Sequence, residues 1–187
     1  MVFKRILTIL LCCVSLEAYA GFIELGVSGN YRKSSIDRDN YQESLSYTGS
    51  LTYYFWEMSA LELSYTNGVS NAVVNPPNDL RTNTITGFEL LGLDFILTLG
   101  DREAVLQRYV KIGGAYIRKK IIKRTATQDD RDGGSSEGLV PSAGVGFKFK
   151  LTKELSLKVG VDAWTSPPKQ QPVIVDFAGR VGLSWMF

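Results

Sequence analysis

Histidine is absent from all 187 residues. Acyl-transfer and hydrolytic sites commonly use histidine as their base near neutral pH, so the usual proton acceptor is missing. Cysteine occurs twice, as Cys12 and Cys13 in a short apolar run near the N-terminus. Once that run is cleaved, no disulfide, thiolate nucleophile or thiolate ligand is possible. Long hydrophobic runs are also missing. None reaches the roughly 18 residues of a spanning helix, so any membrane insertion has to use strands closed into a barrel. HExxH, a glycine-rich phosphate loop and metal-ligand spacings do not occur. Asp129, Asp130 and Asp132 read as a solvated acidic tip. No cofactor and no catalytic or metal-binding residue is expected.

The first twenty residues have the pattern of a cleaved export signal. Lys4 and Arg5 supply positive charge, Ile6 to Val14 a short apolar stretch, and Ala18-Tyr19-Ala20 the cleavage site. Residues 1–20 are therefore expected to be a signal peptide, and residues 21–187 one domain that starts at Gly21. Without Lys4, Arg5 and Glu17 the chain has 19 basic and 18 acidic residues. That balance gives no basis for binding nucleic acid.

The rest of the sequence alternates with period two, the mark of strands with one apolar face. Eight strands are expected, near Phe22–Tyr31, Tyr41–Phe55, Ser59–Asn67, Thr82–Leu97, Val105–Lys119, Leu139–Leu151, Leu155–Trp164 and Ile174–Phe187. Short connections fall near Trp56–Met58, Leu99–Glu103 and Thr152–Glu154. Longer ones fall near Arg32–Asn40, Gly68–Arg81, Lys120–Gly138 and Thr165–Val173. Alternating short turns and long loops, with an even strand count, fit an all-β, eight-stranded antiparallel transmembrane barrel, an up-and-down meander. The fourth strand is the exception, with apolar residues on both faces. Leu91, Leu93, Phe95 and Leu97 alternate with Phe88, Leu90 and Ile96.

The face opposite the lipid-type residues carries Glu24, Glu62, Asp94, Lys111, Lys148, Lys150, Lys158, Asp162, Asp176 and Arg180. Charges withdrawn from bulk water need partners. Glu24, Glu62, Asp94, Lys111, Lys158, Asp162 and Arg180 are expected to form an ion-pair network in the lumen, with Arg180 nearest Glu24 and Asp162. Eight strands leave room for little besides side chains, so a plug is favoured over an open path. Arg118, Lys119, Lys120, Lys123 and Arg124 form a basic run where the fifth strand should leave the membrane. Such a run would meet the phosphates of lipopolysaccharide.

The strand pattern, the glycine-rich stretch Tyr109–Tyr116 and the ending Gly179–Phe187 resemble the small eight-stranded outer-membrane barrel superfamily. That group includes the OmpA membrane domain and the OmpX-like and OmpW-like proteins. The resemblance implies that Val181, Leu183, Trp185 and Phe187 act as an assembly signal for the outer-membrane insertion machinery. No periplasmic domain is expected after Phe187, so the two-domain OmpA arrangement does not apply. Barrels of this kind that modify lipid A use a catalytic histidine, which is missing here.

These features together imply a bacterial outer-membrane location, lipid and lipopolysaccharide as surroundings, and a monomer. The function expected is a non-enzymatic barrel with a structural, envelope-stabilising or surface-interaction role through four external loops. The alternative is a passive narrow channel or a conduit for hydrophobic solutes, which the two-faced fourth strand keeps open.

Overall fold

A computed structural model describes residues 21–35, 41–74, 82–101, 103–125, 128–165 and 175–187. The expected signal segment lies outside them. The eight strands are β1 (Phe22–Ser35), β2 (Tyr41–Trp56), β3 (Ser59–Val74), β4 (Thr82–Leu99), β5 (Leu106–Thr125), β6 (Gln128–Lys150), β7 (Leu155–Thr165) and β8 (Val175–Met186). Each pairs antiparallel with its sequence neighbour, and β8 returns to β1 to close the barrel. All-β class, strand count and meander order are those expected from the alternation. No helix among the described residues is long and apolar enough to cross a membrane. The strands, 11 to 23 residues long, reach or exceed the roughly 9–11 residues that a tilted spanning strand needs.

Closure has a defined stagger. The ladder runs from Met186 to Glu24, Thr52, Glu62, Asp94, Gly113, Ser142 and Trp164, and returns to β8 at Asp176. One circuit thus climbs from residue 186 to residue 176, a shear of ten residues. Such a stagger tilts the strands and sets a bore that side chains can fill.

The apolar phase of every strand faces outward. Leu25, Val27, Leu51, Leu63, Leu93, Ile112, Val145 and Val181 are all exposed on the barrel wall. In water such a belt would be untenable, and against lipid tails it is the expected surface. Aromatic residues border the belt. Trp56, Phe95, Phe149, Trp185 and Phe187 are exposed towards the short-turn end, and Tyr31, Tyr47, Tyr65 and Tyr116 towards the long-loop end. Trp and Tyr favour the membrane interface, where an apolar ring and a polar edge are both satisfied.

The fourth strand's two apolar faces have separate uses. Leu91, Leu93, Phe95 and Leu97 are exposed outside, whereas Phe88, Leu90 and Ile96 are buried inside. The short turns have local causes. Gly100 takes a φ of 103°, which L side chains rarely adopt. The Thr152 hydroxyl accepts from the Glu154 and Leu155 amides at 3.2 and 2.9 Å.

One expected boundary moves substantially. The span Lys120–Gly138, anticipated as a long loop, is mostly a hairpin formed by the ends of β5 and β6. Its register shifts between Lys120 and Ile122 and again between Lys123 and Thr125. Beyond the lipid belt a ladder needs no apolar face, so alternation stops signalling strand while the backbone pairs on. The third strand likewise runs to Val74, past the Asn67 boundary expected from sequence.

Candidate functional site in the barrel lumen

Strand phase turns charged residues inward in the half of the barrel nearer the short turns. Glu62 on β3 lies 3.4 Å from Lys111 Nζ, 3.8 Å from Lys158 Nζ and 3.4 Å from Arg180 Nη1. Lys111 also reaches Asp94 at 3.5 Å and Asp162 at 3.0 Å. Arg180 holds Asp162 at 2.7 Å. Glu24 is paired by both Lys148 and Lys158. Four carboxylates thus interlock with four cations, and the cluster is formally neutral.

All seven residues expected in the lumen network lie in this cluster, with two differences in detail. Lys148, expected on the inner face but not in the network, belongs to it. Arg180 pairs with Asp162 and Glu62, not with Glu24, because Lys148 and Lys158 already hold both Glu24 oxygens. Asp176 lies higher, near the long-loop end. There it accepts from Arg32 at 2.5 Å and Lys119 at 3.1 Å.

Aromatic hydroxyls seal the cluster. Tyr54 donates to Glu24 at 3.1 Å, and Lys148 donates to the Tyr54 oxygen at 3.3 Å. Tyr109 packs with Ala60, Ile96 and Tyr54 beside the charges. Its ring lies over glycines: a Cβ at Gly146 would come within 2.5 Å of the Tyr109 oxygen and 2.6 Å of the Val159 carbonyl. Sequence reasoning assigned neither tyrosine a role. The available signal was phase, since Tyr109 shares a face with Lys111 and Tyr54 shares one with Thr52.

Above the charges the lumen has two unlike walls. On β1 to β3, Asn30 donates to Ser46 at 3.2 Å and to Thr48 at 2.9 Å, and Thr48 lies 2.7 Å from the Thr66 hydroxyl. On β4 to β6, Phe88, Leu90, Ala115, Ile117 and Val140 form a buried apolar cluster, with Trp164 of β7 packed against it. A cup of about 210 Å³ lies between these walls at the long-loop end. Beneath it is a void of about 40 Å³ lined partly by Asp94, Lys111, Asp162 and Arg180. At the short-turn end Tyr54, Thr98, Gln107, Lys148 and Lys153 help line a vestibule of about 530 Å³. The ion-pair cluster therefore stands between the two larger spaces.

The basic run does not share one surface. Arg118 and Lys120 are exposed, whereas Lys119 turns inward to Asp176. Arg118 also pairs with Glu137 at 3.3 Å and lies 5.8 Å over the Tyr116 ring. The side chains of Lys123 and Arg124 lie outside the described set, as do those of Asp129, Asp130 and Asp132. Among the described residues no group of three or more His, Cys, Asp or Glu is placed to hold a metal ion. Val181, Leu183, Trp185 and Phe187 are all exposed on the outer wall, and the Phe187 amide donates to the Ile23 carbonyl at 2.8 Å.

The closed eight-stranded meander that holds this cluster is matched by solved structures. The N-terminal barrel domain of Pseudomonas aeruginosa OprF aligns with TM-score 0.57 and 19% identity, covering 89% of this chain and 97% of that one. The fold is that of the small outer-membrane barrels. Neisserial surface protein A aligns with TM-score 0.62 and 14% identity, over 89% of this chain and 97% of that one. OprG from Pseudomonas aeruginosa aligns with TM-score 0.55 and 15% identity, over 89% and 95%. At these identities the likeness is one of fold. No protein-family model matches the sequence, and no curated protein matches it.

Glu62, with three cationic neighbours, is the most connected acid of the cluster. Replacing one partner of a buried pair leaves the others uncompensated and costs about 3–5 kcal/mol. Glu62→Ala should therefore lower unfolding stability by about that amount, measured by urea titration in detergent. Glu62→Ala combined with Lys111→Met should lose less than the two single changes together. Additive losses would show that the two groups do not act as a pair.

Proposed function

We propose that this protein is a non-enzymatic, plugged barrel of the outer membrane, with a structural and surface-contact role. The observation that carries the reading is the neutral cluster of four acids and four bases across the lumen. An eight-stranded bore filled this way has no continuous aqueous path. On this reading residues 1–20 are an export signal, the short turns face the periplasm, and the long loops and the β5–β6 hairpin face outward. A monomer suffices, since the barrel has no free edge and its greasy belt is covered by lipid.

The second reading is a conduit for small, partly apolar solutes. The apolar lumen wall headed by Phe88 and Leu90 favours it, but the charge cluster stands in its way. Single-channel recording in planar bilayers separates the two. The parent should show no steady conductance, and Arg180→Ala, which frees one side of Glu62 and Asp162, should flicker open. Large steady conductance in the parent would remove the plug.

The proposed surface contact is with lipopolysaccharide phosphates at the outward cations. Replacing Arg118 and Lys120 by Ser should weaken binding to lipopolysaccharide-containing liposomes several-fold. Lys119→Ser, which alters an inward cation, should leave it near the parent level. Equal effects from both changes would mean that general charge, not this face, is responsible.

The outward row Val181, Leu183, Trp185 and Phe187 is proposed as the mark read by the insertion machinery. Deleting Phe187 should sharply lower the yield of assembled barrel in the outer membrane while the exported chain still begins at Gly21. Normal yield would exclude the assembly role, and an uncleaved N-terminus would exclude the export signal.

A further inference from the structure

The cup at the long-loop end combines three features that the plug does not use. Its apolar side presents Phe88 and Trp164, two aromatic rings on neighbouring parts of the lumen wall. Its rim places two cations, Arg32 and Lys119, on the single carboxylate of Asp176. That triad carries one net positive charge and is only partly exposed, so an anion would meet it in a poorly hydrated setting. The third feature is at the base of the cup. Asn30 is 6% exposed, and both amide protons are engaged by Ser46 and Thr48. Its Oδ1 is buried and accepts no hydrogen bond from any described residue. A buried amide oxygen calls for a donor.

The spacing of these features matters as much as their chemistry. Asn30 and Arg32 are two residues apart on β1 and face the same cup, about 7 Å along the strand. A ligand that serves both therefore needs a hydrogen-bond donor at one end, an anion at the other, and a flat apolar body of matching length between them.

We propose that the cup binds a small hydroxylated aromatic carboxylate of the para-hydroxybenzoate type. Its carboxylate sits at Arg32 and Lys119, its ring lies against Phe88 and Trp164, and its hydroxyl donates to Asn30 Oδ1. The cup volume of about 210 Å³ accommodates one such molecule and not a lipid chain with its headgroup. The inference goes beyond the plugged-barrel reading and does not depend on it. Conductance tests the plug, whereas ligand binding tests the cup.

The experiment is calorimetric titration of 4-hydroxybenzoate into the barrel held in lipid nanodiscs, with benzoate as the comparison. The parent should bind 4-hydroxybenzoate saturably at one site and benzoate several-fold more weakly. Asp176→Asn releases both cations and should tighten binding several-fold, the opposite of what loss of a merely structural ion pair would do. Arg32→Gln should weaken binding several-fold, and Lys119→Gln serves the same purpose if that variant does not fold. Asn30→Leu should bring 4-hydroxybenzoate down to the level of benzoate. Folding of each variant is checked by its heat-modifiable migration on gels. Absence of saturation in the parent, unchanged or weaker binding in Asp176→Asn, or a hydroxyl preference that survives Asn30→Leu would each overturn the proposal.

Discussion

Eight charges share a bore too narrow to hydrate them separately, and this constraint orders the rest of the barrel. A buried ion whose partner is missing is far more costly than a surface ion. The acids Glu24, Glu62 and Asp94 come from the first four strands, whereas Lys111, Lys148, Lys158 and Arg180, with one acid, Asp162, come from the last four. Neither half of the chain can neutralise itself. Full pairing is reached only when β8 docks on β1, the same step that removes the sheet's two free edges. Backbone closure and charge compensation are therefore completed together.

The outer and inner surfaces answer to different solvents. Outside, apolar residues meet lipid, and an aromatic border marks the two interfaces. Inside, small residues make room for long polar ones. Gly146 and Gly160 accept the Tyr109 ring, and Gly144 lies beside the Lys111 chain. Above the charges the lumen divides again, with hydroxyl and amide groups on one wall and Phe88, Leu90 and Ile117 on the other. The apolar half of that lumen is why the fourth strand resists a simple lipid-out, water-in pattern.

Much of this was legible from residue order. Period-two alternation located all eight strands and put the seven network residues on the inner face. It failed above the membrane, where the β5–β6 hairpin continues without an apolar side to betray it. It also treated Arg118 to Arg124 as one basic surface, although strand pleating sends Lys119 inward between the outward Arg118 and Lys120. Phase could have revealed that split, but a run of like charges invites reading as a patch.

Sequence by itself determined the barrel, its direction of greasiness and the supply of inward charge, because these follow from local alternation and turn chemistry. Which acid meets which base was decided only by the closed sheet. The stagger of ten residues sets Arg180 beside Asp162 and Glu62 and leaves Glu24 to Lys148 and Lys158. That choice depends on register between strands far apart in the chain. The same holds for the cup, whose three parts lie on β1, β4, β5, β7 and β8 and share no local pattern. Distance across a lumen is a property of closure, and no stretch of sequence encodes it alone.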